Sequence, residues 1–98
     1  MTIDIKKNTD KTILGIVGRL DTITAPDLEK TINVDLADTE HLVLDLKDME
    51  YISSAGLRVL LAAQKKMNKL GSMKVINACE EVMEVFELTG FTDILEIE

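Results

Sequence analysis

The 98-residue chain has one cysteine, one histidine, one proline, no tryptophan and three aromatic residues in all. A single thiol, Cys79, cannot build an internal disulfide framework or a cysteine-rich zinc site. A single imidazole, His41, falls short of the roughly two or three that protein-only catalytic metal sites use. Tyr51, Phe86 and Phe91 are too few for a base-stacking platform of the single-strand-binding kind. The longest unbroken apolar run, Val59–Ala63, is far from the ~20 residues of a membrane span. The opening MTIDIKK has no apolar stretch of the signal-peptide type, so the expected location is the cytoplasm. Basic residues are scarce: 11 Lys and Arg face 18 Asp and Glu, for a formal charge of −7. Such a balance excludes nucleic acid and anionic membrane surfaces as direct partners, because either repels the whole molecule. What is present is 46% hydrophobic and 30% charged residues, the make-up of an ordinary globule. The length suits one domain over residues 1–98 with a core that needs no staples.

Ile3 and Ile5 alternate with polar neighbours, which predicts a half-buried strand. Asn8-Thr9-Asp10 is turn chemistry, and Thr12–Leu20 is apolar on both faces, as in a central strand. The short turn makes the two an antiparallel hairpin. Thr24-Ala25-Pro26-Asp27 reads as a helix start: a capping threonine, a proline in the first turn and an acid at the positive helix end. Ala25, Leu28, Ile32 and Leu36 follow at helical spacing. His41–Leu46 reads as a buried strand. Leu57, Leu60, Leu61, Gln64, Met67 and Leu70 form the stripe of an amphipathic helix, with Lys65, Lys66 and Lys69 near its end and Gly71 as the residue just past it. Met73–Ile76 is a short strand, Asn77 is placed to cap a helix ended by Gly90, and Ile94–Ile97 is a last strand. The order β-β-α-β-α-β-α-β predicts an α/β fold with a mixed sheet. It has an opening antiparallel hairpin, then parallel β-α units with about three main helices.

The informative stretch is Asp45-Leu46-Lys47-Asp48-Met49-Glu50-Tyr51-Ile52-Ser53-Ser54-Ala55-Gly56-Leu57, which leads from the buried strand into the amphipathic helix. Function in open α/β sheets gathers at the carboxyl ends of parallel strands, and Ser53 and Ser54 fall there. Two readings stand side by side. Ser53 or Ser54 is a structural N-cap, its oxygen accepting an orphan backbone N–H. Alternatively, one hydroxyl is a phosphorylation switch. Phosphoserine carries about −1.5 to −2 charges at neutral pH, which a helix N-terminus tolerates and a partner surface packed on a neutral hydroxyl does not. Asp21 is either a turn residue or part of that site. Arg58, one helical turn after Ser54, is either a solvated side chain or a contact for a partner acid or a phosphate.

The pattern Tyr51-Ile52-Ser53-Ser54-Ala55-Gly56-Leu57, with Gly18-Arg19-Leu20-Asp21 upstream, resembles the STAS domain of bacterial anti-sigma factor antagonists. The resemblance extends over nearly the whole chain and its order of elements. It implies a switch protein without catalytic activity or cofactor. In that family the unphosphorylated antagonist binds an anti-sigma factor, commonly a serine kinase, and so frees the sigma factor. A PP2C-type phosphatase reverses the mark. The resemblance assigns the phosphoacceptor to Ser54, and puts Asp21, Thr22, Ser53, Ser54, Ala55, Gly56, Leu57 and Arg58 at the partner contact. Two departures stand out: Ser53 occupies a position often held by Asp, which leaves Ser53 as a competing acceptor, and the chain ends at Glu98 where many relatives continue into a helix. A second reading keeps the fold and makes the chain a soluble subunit or scaffold of a membrane transporter or signalling complex.

An enzyme is the least supported class. His41 lies at the far end of its strand from Ser54, so a Ser–His–Asp triad is not assembled. Ser-Ser-Ala-Gly is not the Gly-x-Ser-x-Gly elbow of α/β hydrolases. Gly15-Ile16-Val17-Gly18 lies inside a strand with no following Lys-Ser/Thr, so it is no phosphate loop. The methionines and Cys79 read as packing residues.

Overall fold

Alternation decides the first two elements. In the computed structural model, which describes all of residues 1–98, Thr2–Lys7 forms β1 and Thr12–Leu20 forms β2. They pair antiparallel with Lys7 opposite Thr12 and Thr2 opposite Val17. Leu14, Ile16 and Leu20 of β2 are buried on one face, and Val17 stands exposed on the other. The strand is central, as expected, but only one of its faces is fully covered.

Ala25–Lys30 is α1, prolonged by a π-helical turn over Thr31–Asp35. The spacing of Ala25, Leu28, Ile32 and Leu36 survives this change of pitch, and all four are buried. His41–Asp45 is β3, parallel to β2, with Leu42 and Leu44 facing the core. A tight turn then leads into Met49–Ile52, a short strand β4 that the sequence reading did not separate. It pairs parallel with the far half of β2, Gly18 opposite Met49, Arg19 opposite Tyr51 and Leu20 opposite Ile52. Glu50 is the extra residue in that register, so β4 carries a bulge at the Gly18–Arg19 step.

Ser54–Leu70 is α2, Ser72–Ile76 is β5, and Glu80–Thr89 is α3. β5 pairs parallel with β3, so the sheet runs β1-β2-β3-β5 with β4 continuing alongside β2. Phe91–Asp93 is a 3₁₀ turn. The expected last strand shrinks to one bridge, Val75 with Ile97. Leu95 is buried in this segment while Ile94 is exposed. The segment is thus anchored by Leu95, with Ile97 packed against the core, and by two backbone hydrogen bonds to Val75, not by a ladder.

The helices supply Leu28, Leu57, Leu60, Met67, Val82 and Phe86 to one continuous core with Leu14, Leu44 and Val75 of the sheet. Each such fully buried aliphatic or aromatic side chain stabilises the fold by roughly 1.5–3 kcal/mol. No helix is long and apolar enough to cross a membrane.

Two end signals act differently from expectation. Asn77 does not cap α3. It sits in the left-handed region at φ 59° and its side-chain amide donates to Asp45 Oδ1 at 3.1 Å, while Cys79 occupies the N-cap position. Gly71 follows α2 with an extended φ of 171°, not a left-handed one. It is needed because a Cβ there would run into the carbonyl of Glu40. Gly71→Ala is therefore expected to cost about 1–3 kcal/mol through overpacking against backbone, read as a lower urea midpoint with an unchanged slope.

Candidate functional site

Parallel pairing of β2 with β4 decides what meets at the carboxyl end of the sheet. Leu20 and Ile52 are register partners, so the residues that follow them, Asp21 and Ser53, emerge side by side. The Ser53 N–H donates to the Leu20 carbonyl at 2.9 Å and extends that ladder by one rung.

Ser53 is the N-cap of α2. Its backbone is extended at φ −99° and ψ 176°, and its hydroxyl accepts from the Gly56 N–H at 3.4 Å. Its carbonyl accepts from Leu57 at 2.9 Å. Ser54 is the first residue of the helix and is exposed. The structure thus distinguishes the two neighbouring hydroxyls. One hydroxyl is spent on the cap; the other points to solvent beside the positive end of a 17-residue helix.

Gly56 explains how the turn sits so low. A Cβ at that position would lie 2.7 Å from Leu20 Cγ and 2.9 Å from Ile52 Cγ1. Gly56 and Leu57 are buried and support the turn from beneath.

Asp21 organises the opposite loop. Its Oδ1 accepts from the N–H groups of Ile23 at 3.0 Å and Thr24 at 3.1 Å. The expected threonine cap is therefore replaced: Thr24 makes no side-chain cap bond into α1, and its hydroxyl donates to the Arg19 carbonyl at 2.9 Å and accepts from the Asp21 N–H at 2.9 Å. No hydrogen bond joins Asp21 to either serine. The Thr24 N–H, helped by the Ile23 N–H and Arg19, holds the Asp21 carboxyl below its ordinary value of 3.8 despite partial desolvation.

Thr22 and Arg58 are exposed, and with Ala25, Pro26, Glu29, Ala55 and Val59 they line a shallow groove of about 200 Å³ between α1 and α2. Ala55 is half-buried at its rim. On the face of the β2–β4 pair opposite Leu20 and Ile52 lies a feature not apparent from the sequence. The Arg19 guanidinium sits 4.1 Å from the Tyr51 ring centroid, and its Nε is 3.8 Å from Asp21 Oδ2. Ile23 is 85% exposed, an unusual state for isoleucine in a loop. Arg19 belongs to the quoted Gly-Arg-Leu-Asp step, but its partner Tyr51 becomes visible only once β4 is recognised as a strand in register with β2.

His41 is remote from all this. Its Nδ1 lies 2.9 Å from Ser72 Oγ, at the start of β3. Thr12 faces Leu42 and Leu20 faces Ile52, eight residues apart along β2. That is about 26 Å at the usual strand rise, so serine and imidazole do not cooperate. Cys79 is half-buried and its thiol donates to the Met49 carbonyl at 3.6 Å. No group of three or more His, Cys, Asp or Glu side chains converges as a metal site would require.

Known proteins resemble this chain over most of its length. A family model described as the STAS domain matches residues 2–98. The anti-sigma-B factor antagonist of Bacillus subtilis (strain 168) is 34% identical, the match covering 99% of this chain and 90% of that protein. The anti-sigma-B factor antagonist of Listeria monocytogenes is 31% identical, over 99% of this chain and 88% of that one. The crystal structure of an anti-sigma factor antagonist from Mycobacterium paratuberculosis superposes with a TM-score of 0.89 at 28% identity, over 98% of this chain and 83% of that chain.

Two expectations follow from this geometry. Ser53→Ala lowers stability by about 0.5–1 kcal/mol through loss of the cap, while Ser54→Ala leaves it within about 0.5 kcal/mol; urea titration separates them, and equal losses would contradict the division of roles. For Asp21 the sign follows from its lowered folded value. The folded state binds that proton less tightly than the unfolded chain, so the stability it contributes is complete above 3.8 and is lost as the pH falls through the lowered folded value. Asp21→Asn keeps the acceptor and removes the titration. Its acid limb in a plot of urea midpoint against pH is expected to be flatter than that of the native chain, and parallel limbs would count against the assignment.

Proposed function

The chain belongs to the STAS-domain family, and from that premise we propose that it is an anti-sigma factor antagonist whose docking is governed by phosphorylation of Ser54. The relatives that match over almost the whole of this chain are named as antagonists, which favours that role over a transporter subunit. The observation that carries the switch is the contrast between two adjacent hydroxyls, Ser53 engaged in the cap and Ser54 exposed beside it.

The proposed cycle has three parts. In the unmodified state, Ser54, Thr22, Ala55 and Arg58 form a near-neutral surface over the α1–α2 groove, and the anti-sigma factor docks there. Ile23, exposed next to Thr22 in the same loop, adds apolar surface to it. An anti-sigma factor with serine kinase activity then transfers the γ-phosphoryl group of ATP to Ser54 Oγ. The oxygen–phosphorus bond forms, ADP leaves and the serine proton passes to a base of the kinase. A PP2C-type phosphatase hydrolyses the ester and resets the cycle.

A dianion at Ser54 is compatible with the fold. The first amides of a helix have no intrahelical acceptor, and the helix dipole favours negative charge there. It is incompatible with an interface built around a neutral hydroxyl. A loss of about 3 kcal/mol in docking weakens binding by roughly two orders of magnitude. Arg58, four residues on along the same helix face, is placed to meet part of that charge within the chain.

With the cognate anti-sigma factor and ATP, one phosphate is expected at Ser54, found by peptide mass spectrometry. Ser54→Ala is expected to bind constitutively and resist modification. Ser54→Asp is expected to bind at least about tenfold more weakly by calorimetry, since it carries half the charge or more of the phosphate. Native affinity in Ser54→Asp, or phosphate appearing on Ser53 instead, would overturn the reading.

A further inference from the structure

β1 is the end strand of the sheet and pairs with β2 alone. Its outer edge presents unpaired backbone donors and acceptors, a template for another strand. Thr2, Asp4, Lys6 and Lys7 are exposed, while Ile3 and Ile5 are half-buried on the core side.

Charge says where two copies can approach. The chain as a whole carries −7, yet residues 1–13 hold Lys6, Lys7 and Lys11 against Asp4 and Asp10. The hairpin is thus slightly basic on an acidic molecule, and copies meet there with little of the repulsion that separates them elsewhere.

Register says how they fit. Residues directly opposite each other in an antiparallel pair point to the same face. A two-fold pairing of β1 with itself keeps its polar and apolar faces only when the opposed residue numbers sum to an even value. With Asp4 or Lys6 opposite its own copy, like charges meet. With Ile3 at the centre the overlap shortens and Asp4 meets Thr2. With Ile5 at the centre, Asp4 faces Lys6 twice, Ile5 meets Ile5 on the core side, and Ile3 lies along the aliphatic stem of Lys7. A lysine on an edge ordinarily repels a second copy, but in this register each Lys6 is answered by an aspartate.

We propose that β1 docks antiparallel on β1 of a second copy of this chain, with Ile5 against Ile5 and Asp4 against Lys6. The two five-stranded sheets then become one. The two-fold axis runs perpendicular to that sheet, so both helical layers lie on one side and the two Ser54 positions point to opposite ends. Pairing leaves both free for modification and docking. A five-residue strand pair buries little surface, so the dimer is weak and concentration-dependent.

Sedimentation equilibrium of the full chain over a concentration series tests this, with circular dichroism confirming that each variant folds. The native chain is expected to pass from monomer to dimer. Asp4→Lys and Lys6→Asp each replace two opposite-charge pairs with two like-charge pairs and are expected to weaken self-association by at least about tenfold. An equimolar mixture of the two single variants is expected to form heterodimers, and the double variant Asp4→Lys/Lys6→Asp to regain the native constant. A native chain that stays monomeric up to its solubility limit overturns the proposal. So do single variants that associate like the native chain, or a double variant no better than the singles. None of these outcomes depends on what Ser54 does.

Discussion

The first turn of α2 lies against Leu20 and Ile52 at a distance that position 56 allows only without a side chain. Everything at the carboxyl end of the sheet follows from that contact. It fixes the helix over the β2–β4 pair, which brings Ser53 under the first turn as its cap and turns Ser54 outward. It also sets the start of α2 beside the loop that Asp21 folds through the amides of Ile23 and Thr24. A larger residue at 56 would lift the turn away from both leucine and isoleucine, and cap, exposed hydroxyl and groove would shift together.

Under the proposed switch, folding and signalling fall to adjacent residues. The cap oxygen is half-buried and committed to the backbone, so modifying it would cost helix stability. The next hydroxyl contributes nothing to the helix and lies in the dipole field that best tolerates an anion. In the proposed cycle a phosphate there changes the surface offered to a partner, at a helix end whose amides accommodate an anion. The acidic surplus of the chain acts in the same direction, since added negative charge deepens an existing repulsion toward any acidic partner surface.

Much of this was legible from the residues. The hairpin, the central strand, the amphipathic α2 and the buried β3 follow from period and turn chemistry, and the serine pair falls where a strand end feeds a helix. β4 was not legible, because its bulge at Glu50 breaks alternation: Met49 and Ile52 are buried while Glu50 and Tyr51 between them are exposed. Losing β4 hid the Arg19–Tyr51 stack, since those two residues meet only through that register. The last strand failed for the opposite reason. Ile94, Leu95 and Ile97 look like a strand, but only Leu95 is buried deeply, and the backbone forms one bridge. Gly71 shows a third kind of miss, in which a residue typical of a helix end is needed for a neighbour distant in sequence, the carbonyl of Glu40.

β2 joins the two surfaces for which functions are proposed, yet it uses different residues for each. Thr12–Val17 hold β1, and Gly18–Leu20 hold β4. The bulge at the Gly18–Arg19 step divides these halves and interrupts the ladder locally. The β1 edge carries local basic and acidic pairs on an acidic molecule, whereas the Ser54 region presents hydroxyls and the positive end of a helix. Neither chemistry substitutes for the other, and no side chain belongs to both. A change at one surface therefore reaches the other only by distorting the backbone of β2, whose inward residues Leu14, Ile16 and Leu20 are fully packed in the core. The proposed association through β1 and the proposed docking beside Ser54 thus draw on separate residues of one strand.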